Sequence, residues 1–126
     1  DRCTDEDIKK MEEAIKKMES LLQGEVVDVK SLDIARYDLL FHHEYMQATH
    51  NPLLIGLSEG IWEVLARSIK SSINTKEDVL RTIGSHRRIL ESIKRKDFNS
   101  ARKAVLNALD DGRKYSTIYE EPTINN

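Results

Sequence analysis

Residues 75–97 read TKEDVLRTIGSHRRILESIKRKD, and one apolar line runs through them. Val79, Ile83, His86, Leu90 and Ile93 recur at alternating steps of four and three, which is one face of an α-helix. Thr75 and Asp78 have the spacing of a capping box with Asp in place of Glu, so the helix opens there. Lys94, Arg95 and Lys96 close it, where cations suit the negative end of the helix dipole. Gly84 costs about 1 kcal/mol relative to alanine and reads as simple tolerance. The anomaly is His86, a titratable group at the centre of the inward line.

The same two signals, a cap followed by an apolar line, recur along the chain. Thr4 and Asp7 form a second box, and Ile8, Met11, Ile15, Met18 and Leu22 follow as one stripe that Gly24 should end. A second helix opens near Ser31 or Asp33, with Ile34, Tyr37, Phe41, Tyr45 and Ala48 inward, and stops at Asn51-Pro52. Asn51 then caps a third helix with Pro52 in its first turn, and Leu54, Leu57, Ile61, Leu65 and Ile69 are expected to be buried on it. A last helix starts around Asp97 to Asn99 and places Phe98, Ala101, Val105, Ala108 and Gly112 on one line. No segment alternates with period two. The reading is all-α: an antiparallel bundle of about five helices.

Composition agrees. A chain of 126 residues holds one domain with one core, and 39% hydrophobic with 33% charged residues suits charge-faced helices. Two prolines and five glycines leave few turn markers, which favours long helices. The net charge of -2 gives no ground for nucleic acid or an anionic membrane as a direct partner. The single Cys3 forms no internal disulfide and no signal-like segment is visible, so a cytoplasmic location is expected. No apolar stretch approaches the roughly 20 residues of a membrane span. The start Asp1-Arg2-Cys3, without Met, reads as a piece of a longer protein.

Asp38 and His42 lie four apart on helix two and stack on one face at the border of the buried stripe. With the inward His86 they form a carboxylate-imidazole set suited to zinc, nickel, manganese or iron. Burial favours neutral imidazole, the form that binds metal. The plainer alternative is a core histidine satisfied by hydrogen bonds and an Asp–His pair along a helix. His43 should point away from His42, and His50 is expected on the surface beside the cap. Arg87-Arg88, Lys94 to Lys96 and Arg102-Lys103 read as a solvated face rather than a nucleic-acid patch, and Trp62 and Tyr45 as packing residues. There is no Gly-rich phosphate loop, nucleophile elbow or His-Glu-x-x-His, and no histidine has Glu three residues earlier, as di-iron bundles need.

Four motifs in order resemble a known family. Tyr37-Asp38-Leu39-Leu40-Phe41-His42 followed by Ala48-Thr49-His50-Asn51-Pro52-Leu53-Leu54 is similar to an Asp-x-x-Phe-His … Ala-Ser-Gly-Asn-Pro-Leu-Leu signature. His86-Arg87-Arg88-Ile89-Leu90-Glu91-Ser92-Ile93 resembles its His-x-x-Ile-x-x-Ala-Ile helix. Asp97 to Ala104 resembles its Asp-x-x-x-Ala-x-x-Ala start of the last helix, and Thr4 to Ile8 its usual entry to an earlier helix. The family is the effector-binding (FCD) domain of FadR-type regulators in the GntR family of bacterial transcription factors, and the similarity spans roughly residues 2 to 115.

The resemblance implies a helical bundle that binds a small organic acid and does no chemistry on it. It implies a divalent metal (Zn, Ni or Mn) held by Asp38, His42 and His86, with Asn51 and Ala108 lining the pocket. The family's fourth ligand is a His where this chain has Ala108. Water or the effector fills that position, or metal affinity is weak, or the site is metal-free. His50 stands where the family has Gly. The family's first helix and its N-terminal DNA-binding winged helix-turn-helix have no counterpart here. Residues 1–126 are therefore expected to be a single C-terminal effector-binding and dimerisation domain, a homodimer that meets DNA only through the missing N-terminal domain. Two other readings stay open: a metal-dependent hydrolase using three protein ligands and an open position, and a plain helical dimerisation module.

Overall fold

The structure is a computed structural model that describes residues 2–24 and 27–115, with the side chains of Leu32, Ala108, Leu109 and residues 111–115 outside the description. It contains six α-helices: α1 (Asp5–Ser20), α2 (Leu32–Gln47), α3 (Pro52–Glu59), α4 (Trp62–Ser72), α5 (Lys76–Lys94) and α6 (Phe98–Tyr115). No strand occurs among the described residues. The bundle is built on two close pairs, α1 with α2 and α5 with α6, which meet where α1 lies on α5. The α4 helix closes the side between α2 and α6.

Local chemistry sets the starts. Both Thr4 and Thr75 accept from the backbone N–H three residues on, while Asp7 and Asp78 reach back to the cap, so both boxes form as the spacing predicts. Ser31 caps α2, and Asn51 caps α3 with Pro52 in the first turn. The core then comes from the apolar lines: Met11, Ile15 and Met18 of α1, Ile34 and Phe41 of α2, and Val79 and Leu90 of α5 are fully buried. Each such side chain contributes about 1.5–3 kcal/mol relative to exposure. Outside this core, Arg87 of α5 bridges Glu12 and Glu19 of α1, and Lys94 reaches Glu12 at 3.0 Å. Arg87 is therefore half-buried in an interhelix network, not part of a purely solvated face.

Several expectations need correction. The third helix is two helices, because the chain turns at Ser58–Ile61: Ile61 N–H donates to Ser58 O at 3.0 Å, and Gly60 caps α3. The buried Ser58 hydroxyl also donates to Ile55 O, a local bond that competes with the helical ladder. The break rotates the apolar line out of the core, so Leu57 is 64% and Ile61 53% exposed, and Leu54 is exposed as well. Leu65 is half-buried, and Ile69 alone of that line is fully in the core. The α1 helix stops at Ser20, one turn before Gly24, in successive turns around Leu21 to Gly24. Phe98 is exposed, because it is the first residue of α6, directly after the turn from α5. The inward line of α2 passes through Asp38, which is buried, while Tyr37 is only half-buried. Gly84 makes no close approach to another helix; a Cβ there would meet only Arg88 of its own helix at 3.5 Å.

Candidate metal centre

Helix periodicity places Asp38 between Ile34 and Phe41 on the inner face of α2, with His42 one turn further on the same side. The α5 line brings His86 to meet them. The three predicted ligands converge: one donor atom from each lies within 4.8 Å of the others. Asp38 Oδ1 is 3.2 Å from His42 Nε2 and 3.1 Å from His86 Nε2. The side chains of Asp38 and His86 are 4% and 3% exposed, whereas that of His42 is 34% exposed, so the cluster opens to solvent on the His42 side.

The rings are held by packing. Phe41 stacks on His86 with centroids 4.0 Å apart and planes 13° from parallel. His42 stands edge-on to His86, 5.2 Å away at 89°. These contacts fix both imidazole orientations without using their nitrogens.

The nitrogen–oxygen contacts are short but not aligned as hydrogen bonds. Asp38 Oδ1 and His86 Nδ1 are both buried and lack a hydrogen-bond partner. Such orphaned groups normally cost about 1–3 kcal/mol each, and they are uncommon in a finished core. Burial is the largest influence on His86 and keeps its imidazole below the ordinary value, hence neutral, against the pull of Asp38. Burial alone would raise the Asp38 carboxyl, but at the acidic pH where Asp38 titrates the positive charge on His86, with His42 beside it, outweighs burial and holds the group below the usual carboxylate range. An ionised carboxylate beside neutral imidazole is the protonation state in which these groups ligate a divalent cation. The donor set and the orphaned Asp38 Oδ1 therefore fit such an ion, whereas the orphaned His86 Nδ1 is the ring's other nitrogen, which an ion on Nε2 would not touch.

The other expected pocket residues contribute no described contact to this cluster. Asn51 Oδ1 accepts from the backbone N–H groups of Leu53 and Leu54 at 3.0 and 3.4 Å, so that oxygen is engaged in capping α3. The Ala108 side chain lies outside the described residues. His43 is directed away, 5.6 Å from the Trp62 ring.

One polar residue was missed. His50 is not a bystander: its Nε2 lies 2.6 Å from Asp7 Oδ2, tying the α2–α3 turn to the first turn of α1. His50 has φ 47°, in the left-handed region that favours glycine. The available signal was the histidine in a place where the resembled family has Gly, which marks a turn with left-handed backbone.

The chain matches the family profile of the FCD domain over residues 1–111. No curated protein matches it, and no solved structure does.

Proposed function

The chain belongs to the FCD domain family, the effector-binding domain of GntR-family regulators such as FadR, and from that premise we propose that it senses a small organic acid through a divalent metal at Asp38, His42 and His86. The observation that carries this reading is the convergence of three donors around a buried carboxylate oxygen that no hydrogen bond satisfies. A bound divalent cation would supply an electrophilic anchor for the effector carboxylate. Asp38 brings the negative charge that offsets the cation, and His86 brings a neutral nitrogen held in place by Phe41. His42 lies on the solvent side, so an acid reaches the cluster from there.

In this reading residues 1–126 are the C-terminal sensing domain of a cytoplasmic regulator that works as a homodimer and meets DNA through a separate N-terminal module. Effector binding at the α2–α5 contact favours one arrangement of the dimer over another, which resets the spacing of the two DNA-binding modules. Asn51 and Ala108 belong to the proposed pocket as positions to vary. The role is recognition, not turnover.

A thermal melt of chelator-stripped protein tests this. Zn2+ or Ni2+ at about a hundredfold excess over Kd should stabilise by about 2.7 kcal/mol. For a chain of this size that is a rise in Tm of roughly 10 °C. His42→Ala should remove the rise without unfolding the protein, since His42 is half-exposed. An unchanged curve in the parent chain would leave a plain helical module. Steady ester or phosphate hydrolysis lost in His86→Ala would instead mean a metal-dependent hydrolase.

A further inference from the structure

A second feature lies on the opposite side of α5 from the metal cluster. Where α5 and α6 run side by side, a groove of about 370 Å³ opens between them. Its floor is made of small side chains, among them the buried Ser92 of α5 and the half-buried Ser100 and Ala104 of α6. Two helices facing each other through such residues leave space between them that larger side chains would fill. The tight turn through Arg95, Lys96 and Asp97 closes one end: Lys96 N–H donates to Ile93 O at 2.9 Å, and Lys96 takes φ 55°.

The groove is cationic. Arg87, Arg88, Arg95 and Lys103 line it, against one carboxylate, Glu91. Arg87 is already engaged by Glu12 and Glu19, and Glu91 by Lys94. Among the described residues Arg88 donates to the Ser85 hydroxyl, at 3.1 Å, and forms no ion pair. Arg95 and Lys103 form no ion pair with a described residue. Asp97 at the turn accepts from Ser100 N–H and Oγ at 3.1 and 2.7 Å, and the nearby Arg95 charge also favours its ionised form. Three cations that form no ion pair with a described residue therefore line one cleft in a chain whose net charge is -2. Like charges gathered this way repel each other, and an anion relieves that repulsion.

We propose that this groove binds a small phosphate-bearing polyanion. Two guanidinium groups offer the forked donors that match phosphate oxygens, and Lys103 adds a point charge. The volume lies at the small end of ligand clefts, about 300–1,000 Å³. The described lining has no aromatic ring on which a base could stack, so recognition falls on the phosphates. The site is separate from Asp38, His42 and His86 and does not depend on the metal reading.

Inorganic tripolyphosphate is the probe. It is titrated calorimetrically into the chelator-stripped full chain at low salt, so that the metal cluster contributes nothing. Saturable binding with one ligand per chain is expected. Arg95→Gln combined with Lys103→Gln, both exposed positions, should weaken it by at least about tenfold. Lys9→Gln combined with Lys10→Gln removes the same charge from an exposed face of α1 and should change it less than about twofold. His42→Ala should leave it unaltered. No saturable binding, or equal weakening by the two double variants, would overturn the proposal. So would tighter binding of citrate, which would mean a carboxylate site, or tighter binding of a short DNA duplex, which would mean a nucleic-acid surface.

Discussion

Among the described residues two Asp–His contacts join parts of the chain distant in sequence, and they are built in opposite ways. At Asp7–His50 one carboxylate oxygen takes three partners: Oδ2 accepts from Thr4 N–H at 2.7 Å and Thr4 Oγ1 at 2.8 Å and meets His50 Nε2 at 2.6 Å. The His50 side chain is 46% exposed, so no buried polar group is left wanting. At Asp38–His86 the distances are longer, both residues are buried, and one polar atom on each is orphaned. The first pair is a latch that closes a turn. The second is a set of donors brought together at a cost that the bundle alone does not repay, which is how a site differs from a structural contact.

Variants that sharpen this contrast fall in order of size. Phe41→Ala empties the fully buried position beside His86 and should cost about 3–5 kcal/mol in a denaturant melt. It should also weaken metal affinity, because the imidazole loses the ring that orients it. Asp38→Asn should be felt both with and without metal. It should lower the stability of stripped protein, since the fold holds this carboxyl ionised below its ordinary value, and it should also abolish the gain on adding metal. If Asp38 were only a structural partner like Asp7, the loss would be the same with and without metal.

Asp7→Asn should cost about 1 kcal/mol, the usual worth of a helix cap with its hydrogen bonds. Burial pushes the Asp7 carboxyl up, but the Thr4 backbone N–H, His50 and the Thr4 hydroxyl together hold it below its ordinary value of 3.8. A carboxyl lowered by folding stabilises fully above the unfolded value and loses that contribution as pH falls through the folded one. The stability gap between the parent chain and Asp7→Asn should therefore be constant above pH 3.8 and close below it. The smallest effect belongs to His50→Gly. Relief of the left-handed backbone offsets loss of the Asp7 contact, and the net change should stay within about 0.5 kcal/mol. A cost above about 2 kcal/mol would mean that the latch matters more than its exposure suggests.

Much of this was legible from spacing. Caps announced the starts of α1, α2, α3 and α5, and the apolar line of α5 alone placed His86 inward. The break between α3 and α4 was not legible. The residues from Leu54 to Ile69 keep an uninterrupted helical period, and a glycine at position 60 is no stronger a signal than Gly84, which α5 absorbs without a bend. Asp38 was placed one step outside the core, because periodicity fixes a face only to within a residue and Tyr37 looked like the better core candidate. The Asp7–His50 contact joins residues 43 apart in sequence and has no local signature, apart from a histidine at a glycine-like turn. The groove between α5 and α6 depends on which small side chains face each other across two helices, which a pattern read along one helix does not contain.

The most direct measurement is calorimetric titration of Ni2+ or Zn2+ into chelator-stripped protein, read together with native mass spectrometry. One ion per chain is expected for the parent and for His50→Gly, and none for His42→Ala, whose half-exposed side chain can be removed without opening the core. Equal binding by His42→Ala and the parent, or no ion on the parent at all, would contradict a metal centre at Asp38, His42 and His86.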